Sequence, residues 1–263
     1  IFNHPRGVYV EKSTGRVAVT DSSNNRVMVY NNYNSNFSFY QSQNGSVTMS
    51  LPTHSIMEDN RLLVLDSHSR ILKYNSILNN TTLFSQYGTT RNSNTQFSNP
   101  QSVTVDPTNG EVLVGDSFNH RIQRFDADGN YLGTYGGIGG PNGYGTALGF
   151  FHYPKQVTVG KYGTVVVADF GNARVVAKAK NSSAWVLSTP VGGVTQPCGV
   201  ATDDVIGRVY VSAWYTDSVK VFQNGVLVNS FGGNGSTAGK LNKPCDLLLA
   251  TYQGQEATYV ADC

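Results

Sequence analysis

The residues able to do chemistry recur at fixed spacing instead of gathering in one place. An Asp followed four or five residues later by an Arg appears as Asp21 and Arg26, Asp66 and Arg70, Asp116 and Arg121, and Asp169 and Arg174. Such a carboxylate can accept N–H groups from the turn that follows it, and the guanidinium is within reach for a charge-assisted pair. These residues are expected to staple hairpins, because structural ion pairs perturb charges as readily as catalytic ones. Three cysteines, Cys198, Cys245 and Cys263, fit neither a zinc-finger spacing nor a Cys-x-x-Cys pair. Cys245 and Cys263 are symmetric about Gly254, the expected hairpin turn, so they are the preferred disulfide, with Cys198 left either as a buried free thiol, the favoured reading, or paired outside the chain. The glycine-rich stretch from Gly136 to Gly145 lacks Gly-Lys-Ser/Thr and opens no recognisable helix, which argues against a phosphate loop. It reads as a long connection of the kind that carries binding sites, with Tyr144, Phe150 and Phe151 as candidate aromatic anchors.

The elements that position these residues repeat. Pro5, Pro52, Pro100, Pro154, Pro197 and Pro244 recur at intervals of roughly 43 to 54 residues, the length of one propeller blade. In the third repeat Pro100 opens the alternating run Val103-Thr104-Val105, a turn follows at Asn109-Gly110, and Val112-Leu113-Val114 leads to Asp116. Ile122-Gln123-Arg124-Phe125 is a third run, and Asp128-Gly129 turns it into a fourth, Tyr131 to Tyr135. Period-two alternation bounded by Gly, Asn and Asp predicts short antiparallel strands, four to a repeat. The fifth repeat departs from this, with Ala213 in place of the Asp and Ser218 in place of the Arg. Trp214 and Tyr215 there either pack over the turn or form an exposed contact site, and the area such rings must hide favours packing. The sixth repeat supplies two runs and stops at Cys263, which leaves an open strand edge. The chain beyond Cys263, residues before Ile1, or a neighbouring molecule would complete it, the last by strand addition.

The pattern Pro-x-x-Val-x-Val, apolar strand, Asp, short turn, Asn-x-Arg-Val resembles the NHL repeat, whose members are β-propellers. The resemblance covers essentially the whole chain and implies an all-β fold. The expectation is one domain over residues 1–263, a six-bladed β-propeller of four-stranded antiparallel blades with its sixth blade incomplete. Propellers of this class include peptidylglycine amidating lyase, which binds zinc through histidines directly after the blade-opening prolines. Here those positions are Arg6, Thr53, Gln101, Lys155, Cys198 and Cys245. His54 is displaced by one residue, which in a strand turns it to the other face, and His4, His68, His120 and His152 also miss the position. A calcium site of the lactonase kind needs convergent carboxylates and amides at equivalent inner-strand positions, and none is visible. Some members bind single-stranded RNA on a basic face, but Arg6, Lys12, Arg91 and Lys155 read as scattered. No metal, cofactor, catalytic residue or nucleic-acid partner is therefore expected.

Composition bounds the rest. With 14% charged and 39% hydrophobic residues over 263 positions, the chain belongs to the ordinary globular class, and a net charge of +2 gives no electrostatic pull toward nucleic acid or acidic membrane. No apolar run is long enough to cross a bilayer, and Ile1 to Pro5 lacks the layout of a signal peptide, which fits a matured chain or a fragment of a longer one. Asn36, Asn44, Asn79, Asn80, Asn181 and Asn234 each head a glycosylation triplet, several of them at expected turns, which points to an extracellular, secreted protein. The function expected is a non-catalytic extracellular propeller that presents one face, or its open sixth blade, to a protein or matrix partner. An RNA-binding module and a lyase- or lactonase-like enzyme are the alternatives.

Overall fold

A computed structural model describes residues 2–11, 14–30, 37–40, 49–58, 61–75, 80–87, 94, 96–137, 143–189, 193–252 and 255–262. Each proline-led repeat folds as an antiparallel meander. The first sheet is β1 (Pro5–Val10), β2 (Val17–Asp21), β3 (Arg26–Tyr30) and β4 (Phe37–Tyr40). The second is β5 (His54–Glu58), β6 (Arg61–Asp66), β7 (Arg70–Asn75), β8 (Asn80–Tyr87) and β9 (Gln96–Phe97). The third runs β10 (Pro100–Val105), β11 (Val112–Asp116), β12 (Arg121–Phe125) and β13 (Tyr131–Gly136), and the fourth β14 (Pro154–Val159), β15 (Val165–Asp169), β16 (Arg174–Lys178) and β17 (Val186–Leu187). The fifth is β18 (Pro197–Asp203), β19 (Arg208–Ala213), β20 (Ser218–Gln223) and β21 (Val226–Gly232). The last sheet has two strands, β22 (Pro244–Tyr252) and β23 (Gln255–Asp262).

The fold is an all-β propeller, and it corrects the expected blade count. The structure has five blades, where six with the last incomplete were expected, and the sixth repeat contributes only a two-stranded sheet. The second blade also departs from a purely antiparallel plan, because β9 pairs parallel to β8. That pairing tucks Phe97 against Phe125 of the third blade, with ring centroids 5.8 Å apart. Strands such as β11 and β15 are buried along their whole length, because sheets cover both of their faces. Apolar clusters fill the gaps between successive sheets: Val27 shares one with Met57, Ile71 with Val103, Ile122 with Val157, Val175 with Val200, and Val221 with Leu247. β1 packs on β22 and β23, which brings the last repeat back to the first.

At one end of the propeller, here the proline face, the first strand of each repeat begins and the second ends, since Pro5, Pro100, Pro154 and Pro244 pair with Asp21, Asp116, Asp169 and Asp262. The residue before every opening proline has a positive φ: His4, Leu51, Asn99, Tyr153, Gln196 and Lys243, between 39° and 55°. Side chains of these types rarely adopt that conformation, so it must be held by its surroundings. The repeat carboxylates hold it. Asp21, Asp116, Asp169 and Asp262 accept the backbone N–H of Asn3, Ser98, His152 and Asn242, each two residues before its proline, at 2.6–2.7 Å. The expected acceptance from the following turn is seen at Asp66, from His68 N–H. In the first, third and fourth blades the Asp leads into a single 3-10 turn without capping it, because its carboxylate is turned to the segment ahead of the proline.

The other carboxylate oxygen takes the Arg. Arg26, Arg70, Arg121 and Arg174 lie 2.6–2.9 Å from Asp21, Asp66, Asp116 and Asp169. Asn24, Asn119 and Asn172 donate to the same groups. Burial drives the Asp116 and Asp169 pKa values up despite these donors, whereas at Asp21 the bonds from Asn24, Asn3 and Arg26 outweigh burial and hold it below the usual carboxylate range. A depressed carboxylate contributes stability above its unfolded pKa of about 3.9 and loses it as pH falls through the folded value. Asp21→Asn is therefore expected to be less stable than the parent chain at pH 7, with the difference closing below about pH 4. Urea midpoints at pH 7 and pH 3 measure this, and a gap of constant size would contradict it.

Candidate functional site

The site lies where the propeller axis meets the proline face, and a backbone irregularity makes it. Register shifts between the proline and the residue two or three after it occur in the first, third, fourth, fifth and sixth repeats. A bulge of this kind sets two residues against one and breaks strict alternation. Both the first and the second residue after the proline consequently reach the axis. Together they line a cavity of about 310 Å³ whose wall includes Arg6, Thr53, Gln101, Lys155, Cys198 and Cys245 from the first position, and His54, Ser102, Gln156 and Asp246 from the second. His54 was expected to turn to the other face from the first position, yet it lines the cavity beside Thr53, at the point where β5 begins.

The second-position residues form the floor, and each reaches to the next blade. His54 Nδ1 accepts Val103 N–H at 3.4 Å, Ser102 Oγ accepts Val157 N–H at 3.0 Å, Gln156 Oε1 accepts Val200 N–H, and Asp246 Oδ2 accepts Val8 N–H at 2.9 Å. Every one of those amides belongs to the third residue after a proline. Asp246 also takes Gln156 Nε2 and Leu247 N–H on Oδ1, while His54 Nε2 stands 3.4 Å from Oδ2. Large polar residues from the second, fourth and sixth repeats thus meet across the axis, and Gly7 and Gly199 make room between them. A Cβ on Gly199 would lie 2.8 Å from Leu247 N and from Ser212 Oγ. This ring of equivalent inner-strand positions is legible at proline plus two, one residue beyond the position that the zinc comparison tested.

The first-position residues stand above that floor with fewer obligations. Lys155 Nζ reaches Gln101 Oε1 at 3.4 Å and lies 5.3 Å from the Phe170 ring. Burial, joined by the like charge of Arg6, pushes its pKa down. The Cys198 thiol is pushed up to about 11 by burial. Arg6 and Lys155, expected to be scattered, line one cavity; Lys12 and Arg91 lie outside the described residues.

The remaining expected residues divide. Phe151 is fully buried against Trp185, so it cannot anchor a partner, and Phe150 is half-buried. The connection they sit in is strapped down by Arg174, which donates to the carbonyls of Thr146, Ala147 and Phe150. Tyr144 stays exposed, stacked on His152 at 4.3 Å. Trp214 is half-buried beneath Lys243 Nζ and lines the cavity, whereas Tyr215 is 69% exposed, so packing holds for one ring of that pair alone. Asn181 is exposed in a turn, and Asn234 is exposed with Nδ2 donating to Asp217. Asn80 begins β8, whose side chains are not described, and Asn36, Asn44 and Asn79 lie outside the described residues. So does Cys263, and with it the expected bridge to Cys245; Cys198 is a buried free thiol. Among the described residues no group of three or more His, Cys, Asp or Glu side chains could hold a metal ion, and no helix is long and apolar enough to cross a membrane.

A family model for the NHL repeat matches residues 2–30 and 97–125. The chain is 28% identical over 139 residues to the protein brain tumor of Drosophila melanogaster, an alignment that takes in 52% of this chain and 13% of that protein. Among solved structures it is similar to a chain of a nidogen/laminin complex, with a TM-score of 0.68 at 15% identity over 86% of this chain and 79% of the other. It is also similar to virginiamycin B lyase from Staphylococcus aureus, with a TM-score of 0.64 at 12% identity over 98% and 92%. At these identities the structural likenesses establish the fold alone.

The floor makes a ranked prediction. Asp246→Ala strips the acceptor from Val8 N–H, Leu247 N–H and Gln156 at once and is expected to cost about 3 kcal/mol or more, because each buried donor left unsatisfied costs about 1–3 kcal/mol. Ser102→Ala orphans Val157 N–H alone and is expected to cost about 1–2 kcal/mol. Equilibrium denaturation of both variants measures the order, and equal losses would contradict it.

Proposed function

Since the chain is an NHL-repeat propeller, we propose that it is a non-catalytic interaction module, acting outside the cell, that binds a protein partner across its proline face. The observation that carries this reading is the apolar display around the cavity mouth. Leu51 and Phe118 are each 48% exposed, and Phe2, Tyr144, Tyr153 and Tyr215 stand out on the same face, in the segments before the prolines and the turns after the second strands. Exposed aromatics concentrated on one face mark interaction surfaces, and such rings carry most of the binding energy when covered. Phe118 and Tyr153 brace one another at 5.5 Å and Tyr144 rests on His152, so these side chains are held in place before any partner arrives.

Two features support the non-catalytic part. Both nitrogens of His54 face fixed partners, and the carboxylate oxygens of Asp246 already carry their donors. The Cys198 thiol, raised to about 11, is a poor nucleophile at neutral pH. The extracellular part rests on the exposed triplet at Asn181, and it predicts an intact mass of the native protein above the 28.4 kDa of the chain, with hexose-spaced peaks; a mass equal to that of the chain would contradict it.

The test immobilises the whole chain, identifies proteins retained from an extracellular extract of its source, and remeasures each one purified. A partner is expected to lose at least tenfold in affinity toward the Phe118→Ser/Tyr215→Ser double variant, in keeping with about 1–2 kcal/mol per exposed anchor. It is expected to bind Val205→Ser, altered in the turn at the opposite end, as it binds the parent. Equal binding to all three proteins, or metal-dependent turnover of a substrate, would overturn the reading.

A further inference from the structure

We propose that the cavity at the axis is a binding site for a small monocarboxylate with an aromatic body, its carboxylate held by Arg6 and Lys155 and its ring lying against Phe170 and Trp214. The first argument is unspent charge. Among the described residues the Arg6 guanidinium has no hydrogen bond or ion pair, and Lys155 has one long bond to a neutral amide and no ion pair. The cavity's own carboxylate cannot serve them, because Asp246 is saturated by Val8, Leu247, Gln156 and His54. An ammonium partly withdrawn from water without a counter-charge is unfavourable, and an incoming anion relieves it.

Charge and volume then select the ligand. Two cations against one carboxylate leave a net positive charge, which a monoanion cancels and a dianion exceeds. A planar guanidinium beside an ammonium suits a carboxylate, the first through paired N–H bonds and the second as a point charge. The cavity of about 310 Å³ equals roughly ten water molecules at ~30 Å³ each, which fits an acid of the size of phenylacetate. Its walls carry the two rings, both from the residue that begins the turn after the second strand. That position is Ser22, Ser67 and Ser117 in the first three blades but Phe170 and Trp214 in the fourth and fifth. The aromatic wall therefore stands on the side of the ring that supplies Lys155.

This inference does not depend on the protein partner proposed above, and the experiment keeps them apart. Phenylacetate is titrated into the full chain by calorimetry and by the fluorescence of Trp214; the other tryptophan, Trp185, is packed against Tyr135 and Phe151 away from the cavity. Saturable binding below about 1 mM is expected, with at least a tenfold loss in Arg6→Gln and in Lys155→Met, none in Phe118→Ser, and no binding of benzylamine. If Lys155→Met fails to fold, the exposed Arg6 decides. An N-acetylated peptide ending in phenylalanine that competes more strongly than phenylacetate would assign the carboxylate to a protein C-terminus, and the reverse order to a free acid. Absence of saturation by about 10 mM, unchanged affinity in both charge variants, or displacement of phenylacetate by equimolar inorganic phosphate would overturn the proposal.

Discussion

The structure depends on one amide per blade. At four of the repeats the N–H of the third residue after the opening proline is directed at the neighbouring blade near the axis, where water cannot be relied on to satisfy it. At four junctions the second residue after the preceding blade's proline accepts it, through a histidine, a serine, a glutamine and an aspartate. Acceptor chemistry is what these side chains share, and length is what differs. Asp246 closes the circle by taking Val8 N–H, so the last repeat is tied to the first by a hydrogen bond between residues 238 apart in sequence. Near the rim a second set of latches repeats the logic: Asn25, His120 and Asp217, each in left-handed conformation after its turn, accept the N–H of Leu51, Tyr153 and Lys243, the residues before the next proline.

That requirement sets what the axis can hold. Six long side chains could not converge at one level, and the glycines at the first and fifth repeats relieve the crowding. The amide that Gly199 cannot capture, Leu247 N–H, is taken by Asp246 of its own repeat. At Gly7 the hydroxyls of Thr20 and Ser55 bond directly across the junction at 2.7 Å. The floor is therefore committed to holding blades together, with a histidine, a glutamine and an aspartate in contact there that each accept an amide of the neighbouring blade. The layer above carries less of that duty, with Thr53 donating to the Pro100 carbonyl and the Arg6 guanidinium left without a partner among the described residues.

Much of this was legible in the sequence. Proline spacing, alternation and the Asp and Arg pairs located the repeats, because each is a local signal with a short-range cause. The sequence pointed these Asp side chains at the turn that follows, whereas the amides they accept include ones 16 to 20 residues earlier in the chain, a relation visible once Pro5 and Asp21 are known to pair. The bulges after the other five prolines leave no mark in residue type, and β5 begins only at His54, so strict alternation did not show that first and second positions line one cavity. Phe151 reads like Phe150 in sequence, and packing against Trp185 alone separates the buried ring from the half-buried one. The parallel strand β9 is two residues long and has no periodicity to detect.

The fifth repeat shows how a blade holds its turn without the Asp. With Ala213 in place of the Asp, no carboxylate is present to secure the segment before Pro197, and Trp214 N–H bonds to the Gln196 carbonyl instead. Its turn is secured from the other side, by Asp217 accepting Lys243 N–H and the Asn234 amide. Losing the Asp also removes the need for an Arg at Ser218, whose hydroxyl meets Thr216. The turn is thus held by backbone and by its neighbour. The residue that opens it is a tryptophan whose ring faces the cavity and the Lys243 ammonium. The fourth blade keeps its staple and still opens its turn with Phe170, so the aromatic wall and the staple are independent. In the fifth blade the capture of Val200 N–H by Gln156, which does not use the Asp, holds the first strand to its neighbour.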